Sequence, residues 1–563
     1  MLIRRAGTLV VCIVLVLVAG CLPVNALWGN SDDVSSDPDV AATLTPFRPF
    51  QSPDTTASIL PTGTATREPS PSIWISAAVP ASLRQTAQEW GYLPADNITS
   101  ADILFDVETD SLPQSDRFLT WIYALVAPFP TVADGVTQEE LRLTWLGQPG
   151  GDFAGLPLWM DESTLAALTA IWGEPAVGVV QVTEAAGLLE AAWAARPCWG
   201  IVPFEELEPR WKVLSIDGTS PIRKDFDQAL YPLVVSFSID TAIQAVPELP
   251  TSNRDPEKLT TLVMTGVTAL VRATAYAMET KGVLFPSSDV GDWLTSADLT
   301  HISNEIPFAE DCPYPDPSYG MRPFCSDPKY VALLEDIGTD VVELTGNHFQ
   351  DWGSEATLFT LELYKQKGWP YYGGGADLVD ARKAITVEHN GNHLAFIGCN
   401  TVGPAYAWAS ESQPGAAPCD MQWIQSEVYR LRYEGYLPIV TFQHDELYTI
   451  VPHPDQQLDF RPMIEAGAVI VNGSQSHVPQ GMEFYAGGFI HYGLGNLFFD
   501  QMDSLNTRQE LIDRHVFYDG RHISIELMTA MLEDYARPRP MTSAERLELL
   551  QLVFGASVWN LYP

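Results

Sequence analysis

The sequence predicts an α/β protein with two folded units behind an unfolded leader. Three observations lead there. Strand-like runs rich in Val, Ile and Leu alternate with amphipathic stretches of helical length, the pattern of layered α/β folds. The 563 residues suffice for two or three domains. Residues 30–71 are rich in Ser, Thr, Pro and Asp with few large apolar side chains, so they cannot bury enough surface to fold.

The expected division is a signal over 1–21, a tether over 22–71, a first α/β unit over 72–250, a second over 255–535 and a C-terminal helix over 536–563. In the first unit, Ser72–Val79, Ala101–Val107, Phe118–Val126 and Leu156–Met160 read as strands, and Ala81–Trp90 and Asp161–Trp172 as helices. Thr137 with Glu140 fits a helix capping box. In the second unit the strands are Thr260–Met264, Asp340–Leu344, His393–Ile397, Leu437–Phe442 and Ala468–Val471. Ala356–Lys367 and Asp420–Tyr433 are the helical stretches between them. Thr542 and Glu545 should cap the last helix and Gly555 should end it.

Composition excludes one class of partner. Lys and Arg total 31 against 71 Asp and Glu, a net charge of −40. Such a chain repels nucleic acid, whose binding rests on cationic contacts to phosphate. It also repels a free polyanion except where a local site reverses the field.

Arg4 and Arg5, an apolar run over 9–18 and Val18-Ala19-Gly20-Cys21 read as an export signal. The pattern resembles the bacterial lipobox, which implies lipidation at Cys21, a membrane partner through that anchor and an extracytoplasmic location. Export permits disulfides, and Cys312 with Cys325 and Cys399 with Cys419 lie close in sequence, which makes those two pairs the expected ones. Cys198 is left over as a buried thiol.

The polar residues of the second unit follow its strands. Asn347 and His348 come after Asp340–Leu344, Gln443, His444, Asp445 and Glu446 after Leu437–Phe442, and Gln475 and His477 after Ala468–Val471. Asn304 and Glu305 form a further polar loop upstream. Ligands of open α/β sheets bind beyond the carboxyl ends of strands, so these loops can converge. Imidazole and carboxylate are the usual metal ligands of hydrolases.

These loops carry a family resemblance. Asn347-His348 with Asp351 and Gly353 resembles the Asn-His-x-x-Asp-x-Gly signature of CapA-like proteins, associated with capsule and poly-γ-glutamate synthesis. Asn304-Glu305 is similar to their Asn-Leu-Glu loop with one residue missing, and Gly473-Ser474-Gln475-Ser476-His477 to their Gly-x-His-x-His loop. Ile490–Asn496 resembles the stretch that follows. The resemblance implies a four-layer metallophosphatase-like α/β sandwich holding divalent metal. It implies His348, Asn347 and Asp351 as catalytic residues and Glu305, Asn347, His477 and His444 as metal ligands, with Gln443 an alternative to His444. The implied partner is an anionic capsule polymer or its synthesis machinery.

Two departures weaken a two-metal site. Val267 stands where the first strand should end in a metal-binding Asp, and Gln475 replaces a His. Restoring Asp and His at these two positions is expected to raise metal affinity. The alternative is a non-catalytic polymer- or solute-binding surface lipoprotein. In the first unit, Trp199–Phe204, Trp211–Gly218 and Tyr231-Pro232-Leu233 resemble the second lobe of extracytoplasmic solute-binding proteins.

Overall fold

The computed structural model describes residues 70–109, 118–241, 246–318 and 323–559. Cys21, the expected signal and nearly all of the expected tether lie outside them. The described residues fall within one compact unit.

The first sheet is mixed and open. Ser72–Ile75 lies parallel to Leu93–Pro94 on one side and to Ile103–Val107 on the other. Val234–Thr241 then inserts antiparallel between Ile103–Val107 and Phe118–Pro128. The long Phe118–Pro128 strand carries the sheet onward, pairing antiparallel with Trp199–Pro203 and Trp211–Val213. Helices Ala81–Gln88, Gln138–Trp145 and Glu162–Trp172 accompany it. Thr137 and Glu140 satisfy each other's backbone N–H groups at the start of the second helix, a cap contributing about 1 kcal/mol. Cys198 is buried as a free thiol, and burial pushes its pKa up to about 11.

Two sheets face each other in the second half of the chain. In one, Tyr371–Tyr372, Val341–Glu343, Leu299–Asn304 and Leu259–Thr268 run parallel. Gln509–Tyr518, Arg521–Glu533 and Arg537–Pro540 extend that sheet antiparallel, so it continues past residue 535. In the other, Asn392–Asn400, Leu437–Gln443, Ile470–Ser474 and Gly488–His491 run parallel, with antiparallel strands Ile385–His389 and Met482–Tyr485 at the edges.

Strand alternation assigns the faces. Leu262 and Met264 point between the sheets and meet Phe396, Ile439 and Ile470. Val263, Ile302 and Val342 point outward onto Leu334, Leu361 and Tyr364, from helices Val331–Asp336 and Gly353–Lys367. On the far side Ile397, Val440 and Val471 meet Ile424, Val428 and Phe460, from helices Met421–Tyr433 and Pro454–Glu465. The order helix, sheet, sheet, helix is a four-layer α/β sandwich. Strands covered on both faces explain the near-continuous apolar runs in the sequence.

The last helix, Ser543–Ala556, has the expected Thr542–Glu545 capping box, but Gly555 lies inside it and does not end it. Phe129, which follows the Phe118–Pro128 strand, packs at 5.2 Å against Phe484 of the second half. Cys312–Cys325 and Cys399–Cys419 are disulfide-bonded.

Candidate functional site

A cavity of about 1010 Å³ opens where the parallel strands of the sandwich end. Glu305, His348, Asp351, Gln475 and His477 line it. Glu305 follows the Leu299–Asn304 strand, His348 and Asp351 follow Val341–Glu343, and Gln475 and His477 follow Ile470–Ser474. Gly346 permits this convergence: a Cβ there would lie 2.7 Å from Glu305 Cγ and 2.8 Å from its Cα.

His348 is built as a proton-handling group. Its Nδ1 lies 2.8 Å from Asp351 Oδ2. That carboxylate also accepts the Phe324 N–H at 3.1 Å and the Tyr406 hydroxyl at 3.0 Å, so Asp351 is held on three sides. Burial disfavours the charged imidazole, but the Asp351 hydrogen bond and the Glu305 and Asp351 charges outweigh it and raise the pKa above 6.5, with Arg272 opposing. Asp351 is thus a positioning residue, and His348 faces the cavity as a donor that holds its proton above the ordinary range.

His477 is set the other way. Asn496 Nδ2 donates to the backbone carbonyls of His477 and Thr507, so its Oδ1 is left to accept from His477 Nδ1, 2.9 Å away. In the neutral ring this tautomer leaves Nε2 as an acceptor. Nε2 is 4.0 Å from Glu446, which also lines the cavity.

His444 does not join them. Leu437–Gln443 ends with Gln443 turned toward the cavity loops, and His444, the next residue, turns toward helix Pro454–Glu465, where its Nε2 lies 3.0 Å from Asp459. His444, expected as a metal ligand, thus turns away from the cavity residues, and Gln443 faces them. Its Nε2 shares two N–H bonds among three acceptors, Glu305 Oε1 at 2.9 Å, Asn347 Oδ1 at 3.1 Å and Gln475 Oε1.

This bears on metal. The metallophosphatase-like sandwich is an architecture compatible with divalent metals. Here the oxygens of Glu305, Asn347 and Gln475 that would face a cation instead face one amide N–H₂ group, a donor and not a ligand. Val267 is buried in an apolar cluster with Ala269, Val271, Ile306 and Phe499. Among the described residues no group of three or more His, Cys, Asp or Glu could hold a metal. The donor set does not fit a two-metal centre.

Several lining residues lay beyond the reach of the sequence patterns. Arg272 sits 5.1 Å from the Phe324 ring and 4.9 Å from the Phe499 ring, and pairs with Asp500. Phe324 in turn contacts His348 at 5.0 Å, and Phe499 contacts His477 at 5.5 Å, so these rings form one wall. Tyr448 stacks on His477 at 5.8 Å. Arg272, Gln475 and His477 all have positive φ, a strained state for such side chains that gathers at functional sites. These residues come from separate loops, so no local spacing announces them.

The sandwich and its strand-end cavity define a metallophosphatase-like α/β domain. Residues 261–501 match the family described as bacterial capsule synthesis protein PGA_cap, and this part of the chain is CapA-like. The capsule biosynthesis protein CapA of Bacillus anthracis is 26% identical over 300 residues, 52% of this chain and 72% of the relative. The PGA biosynthesis protein CapA of Bacillus subtilis (strain 168) is 28% identical over 191 residues, 34% of this chain and 50% of the relative. This chain thus spans only half the length of that second relative.

Among solved structures, a 5'-nucleotidase precursor from Thermus thermophilus aligns at TM-score 0.31 and 13% identity, covering 52% of this chain and 58% of that one. An ABC-type phosphate transport receptor from Vibrio cholerae aligns at TM-score 0.26 and 14% identity, covering 31% and 88%. Scores this low carry no conclusion; the architecture stands on the sheet order itself.

Proposed function

We propose that this chain is a lipid-anchored extracytoplasmic protein acting in the synthesis, attachment or export of an anionic capsule polymer such as poly-γ-glutamate. Its partners on this reading are the polymer, the synthesis machinery and a membrane held through Cys21. The supporting observation is that the loops of the CapA-like segment bring Glu305, His348, Asp351, Gln475 and His477 to one cavity. The metal site is degenerate on this reading, because Gln443 and Val267 stand where charge is needed. His348, positioned by Asp351, is the group that would give or hold a proton at a bound polymer.

A second reading, a polymer-binding surface lipoprotein without catalysis, is favoured by Gln443, which ties the would-be ligands to one another. One experiment serves both. The purified protein is mixed with poly-γ-glutamate and, separately, with a neutral polysaccharide. Retention on the polyglutamate alone is expected; equal behaviour with both polymers would remove the basis of the proposal. Time-dependent change in polymer length then marks catalysis, and binding without change marks the second reading. For location, Cys21→Ala should release the protein from membranes; unchanged fractionation and gel mobility would refute lipidation.

A further inference from the structure

The cavity poses an electrostatic problem for a protein that handles a polyanion. Its lining carries Glu305, Asp351, Glu446 and Asp503 against Arg272 and His348, in a chain of net charge −40. The interior repeat of a γ-linked glutamate polymer offers one carboxylate and one amide, and such a cavity repels it. The amino terminus of the same polymer differs. There a single carbon bears both an ammonium and a carboxylate, so the end residue is locally neutral and presents three N–H donors.

The cavity offers groups that match. Three acceptors line it. Glu305 is 2% exposed, accepts from Gln443 through Oε1, and among the described residues no donor reaches its Oε2. A buried carboxylate with one neutral partner calls for a counter-charge. His477 Nε2 is an acceptor in the neutral ring because Asn496 fixes the tautomer. Glu446, whose side chain is 52% exposed, adds a second carboxylate 4.0 Å from that nitrogen. Donors line the same cavity: His348, whose Nδ1 is held 2.8 Å from Asp351, and Arg272, paired with Asp500, across the Phe324 ring.

We propose that the cavity recognises the α-amino-acid head at the amino terminus of a γ-linked glutamate chain. Glu305, Glu446 and His477 take the ammonium, and His348 faces the carboxylate. This rests on the polyglutamate reading above and narrows it from the polymer to one of its ends. It also explains how so acidic a protein engages a polyanion: only the chain end enters, and the repelled remainder runs outward.

The test is direct binding of short γ-glutamyl oligomers to the whole protein in the presence of EDTA, with free and with acetylated amino termini. The free amine should bind about tenfold tighter, the ratio that one charge-assisted hydrogen bond to a buried carboxylate supplies. Glu305→Gln should erase that ratio by weakening the free form alone. Glu446→Gln should reduce it in the same direction and, being half exposed, keeps the test valid if the first variant folds poorly. Equal binding of the two oligomers would overturn the head-group proposal and leave the polyglutamate reading standing. So would variants that weaken both forms alike, or a dependence on added Mn²⁺ in place of the amine. No binding of either oligomer would overturn both.

Discussion

The two halves of the cavity are built in opposite ways. The half built on residues 346–351 keeps an ionisable pair: His348 is gripped by Asp351, and Asp351 by Phe324 and Tyr406. The half built on residues 265–267, 443 and 475 is neutral: Val267 is apolar and buried, and Gln443 bonds Glu305, Asn347 and Gln475 together. Each half has its own disulfide. Cys312–Cys325 braces the loop that carries Phe324, beside His348. Cys399–Cys419 braces the end of Asn392–Asn400, which pairs with the Gln443 strand. The contrast teaches that one cavity can carry an ionisable pair on one side and a neutral amide network on the other.

The largest effect that sharpens this contrast comes from Val267→Asp. The substitution puts a carboxylate among Ala269, Val271, Ile306 and Phe499 with no counter-charge, and should cost about 3–5 kcal/mol. Restoring Asp at 267 and His at 475 is therefore expected to destabilise the protein without gaining metal, which reverses the expectation from sequence. Denaturant unfolding with metal analysis measures both; a stable double variant holding stoichiometric metal would break the comparison.

Next come the braces. Replacing both cysteines of either pair by Ser should lower stability by about 3 kcal/mol for loops of this size. Hydrogen exchange should then localise the loosening: around residues 443 and 475 for Cys399/Cys419, and around 324 and 348 for Cys312/Cys325. Loosening of both halves in either variant would mean that they are one unit.

A smaller effect is a pH dependence beneath the cavity. Glu343 is fully buried, and desolvation raises its pKa from 4.5 to about 7 despite hydrogen bonds from Thr345, Thr441 and Ser303. A raised folded-state pKa means that the folded form binds more protons between those values. Its contribution is complete below pH 4.5 and is lost as pH rises to about 7. Glu343→Gln should flatten this slope, making the variant more stable relative to wild type at pH 8 than at pH 4. An unchanged slope would place the titration elsewhere.

The smallest effect is Asp351→Asn. It removes the principal support of the His348 imidazolium, so the His348 pKa should fall toward 6.5, as followed by NMR titration. Stability that wild type holds below about pH 6.5 and loses as pH rises through the higher folded pKa should shrink accordingly. No shift would mean that Glu305, not Asp351, sets the protonation of His348.

Much of this is legible in the sequence, for physical reasons. Parallel strands buried on both faces leave continuous apolar runs, so Leu259–Thr268, Leu437–Gln443 and Ile470–Ser474 stand out nearly in register, and their polar ends locate the cavity. Val267 is readable as a departure because its position is fixed relative to Gly266. A Cβ at Gly266 would stand 2.2 Å from the Gly495 carbonyl oxygen, so glycine marks that crossing. The choice between Gln443 and His444 is not readable, because alternation holds only while the strand lasts and the strand ends at Gln443. The Gln509–Tyr518 strand escapes as well. All ten of its residues are buried, yet Glu510, Asp513 and Arg514 interrupt the apolar pattern. Arg272, Phe324 and Phe499 meet only through tertiary contacts, which local sequence does not encode.

The Gln443 amide, bonded to Glu305, Asn347 and Gln475, should leave no place for a divalent cation among them. Elemental analysis of the whole protein after equilibration with Mn²⁺, Fe²⁺ or Zn²⁺ and removal of excess metal tests it most directly. Well under one bound metal per chain is expected, with no shift of the unfolding transition. Two stoichiometric metals per chain, lost when Glu305 or His477 is replaced, would contradict it.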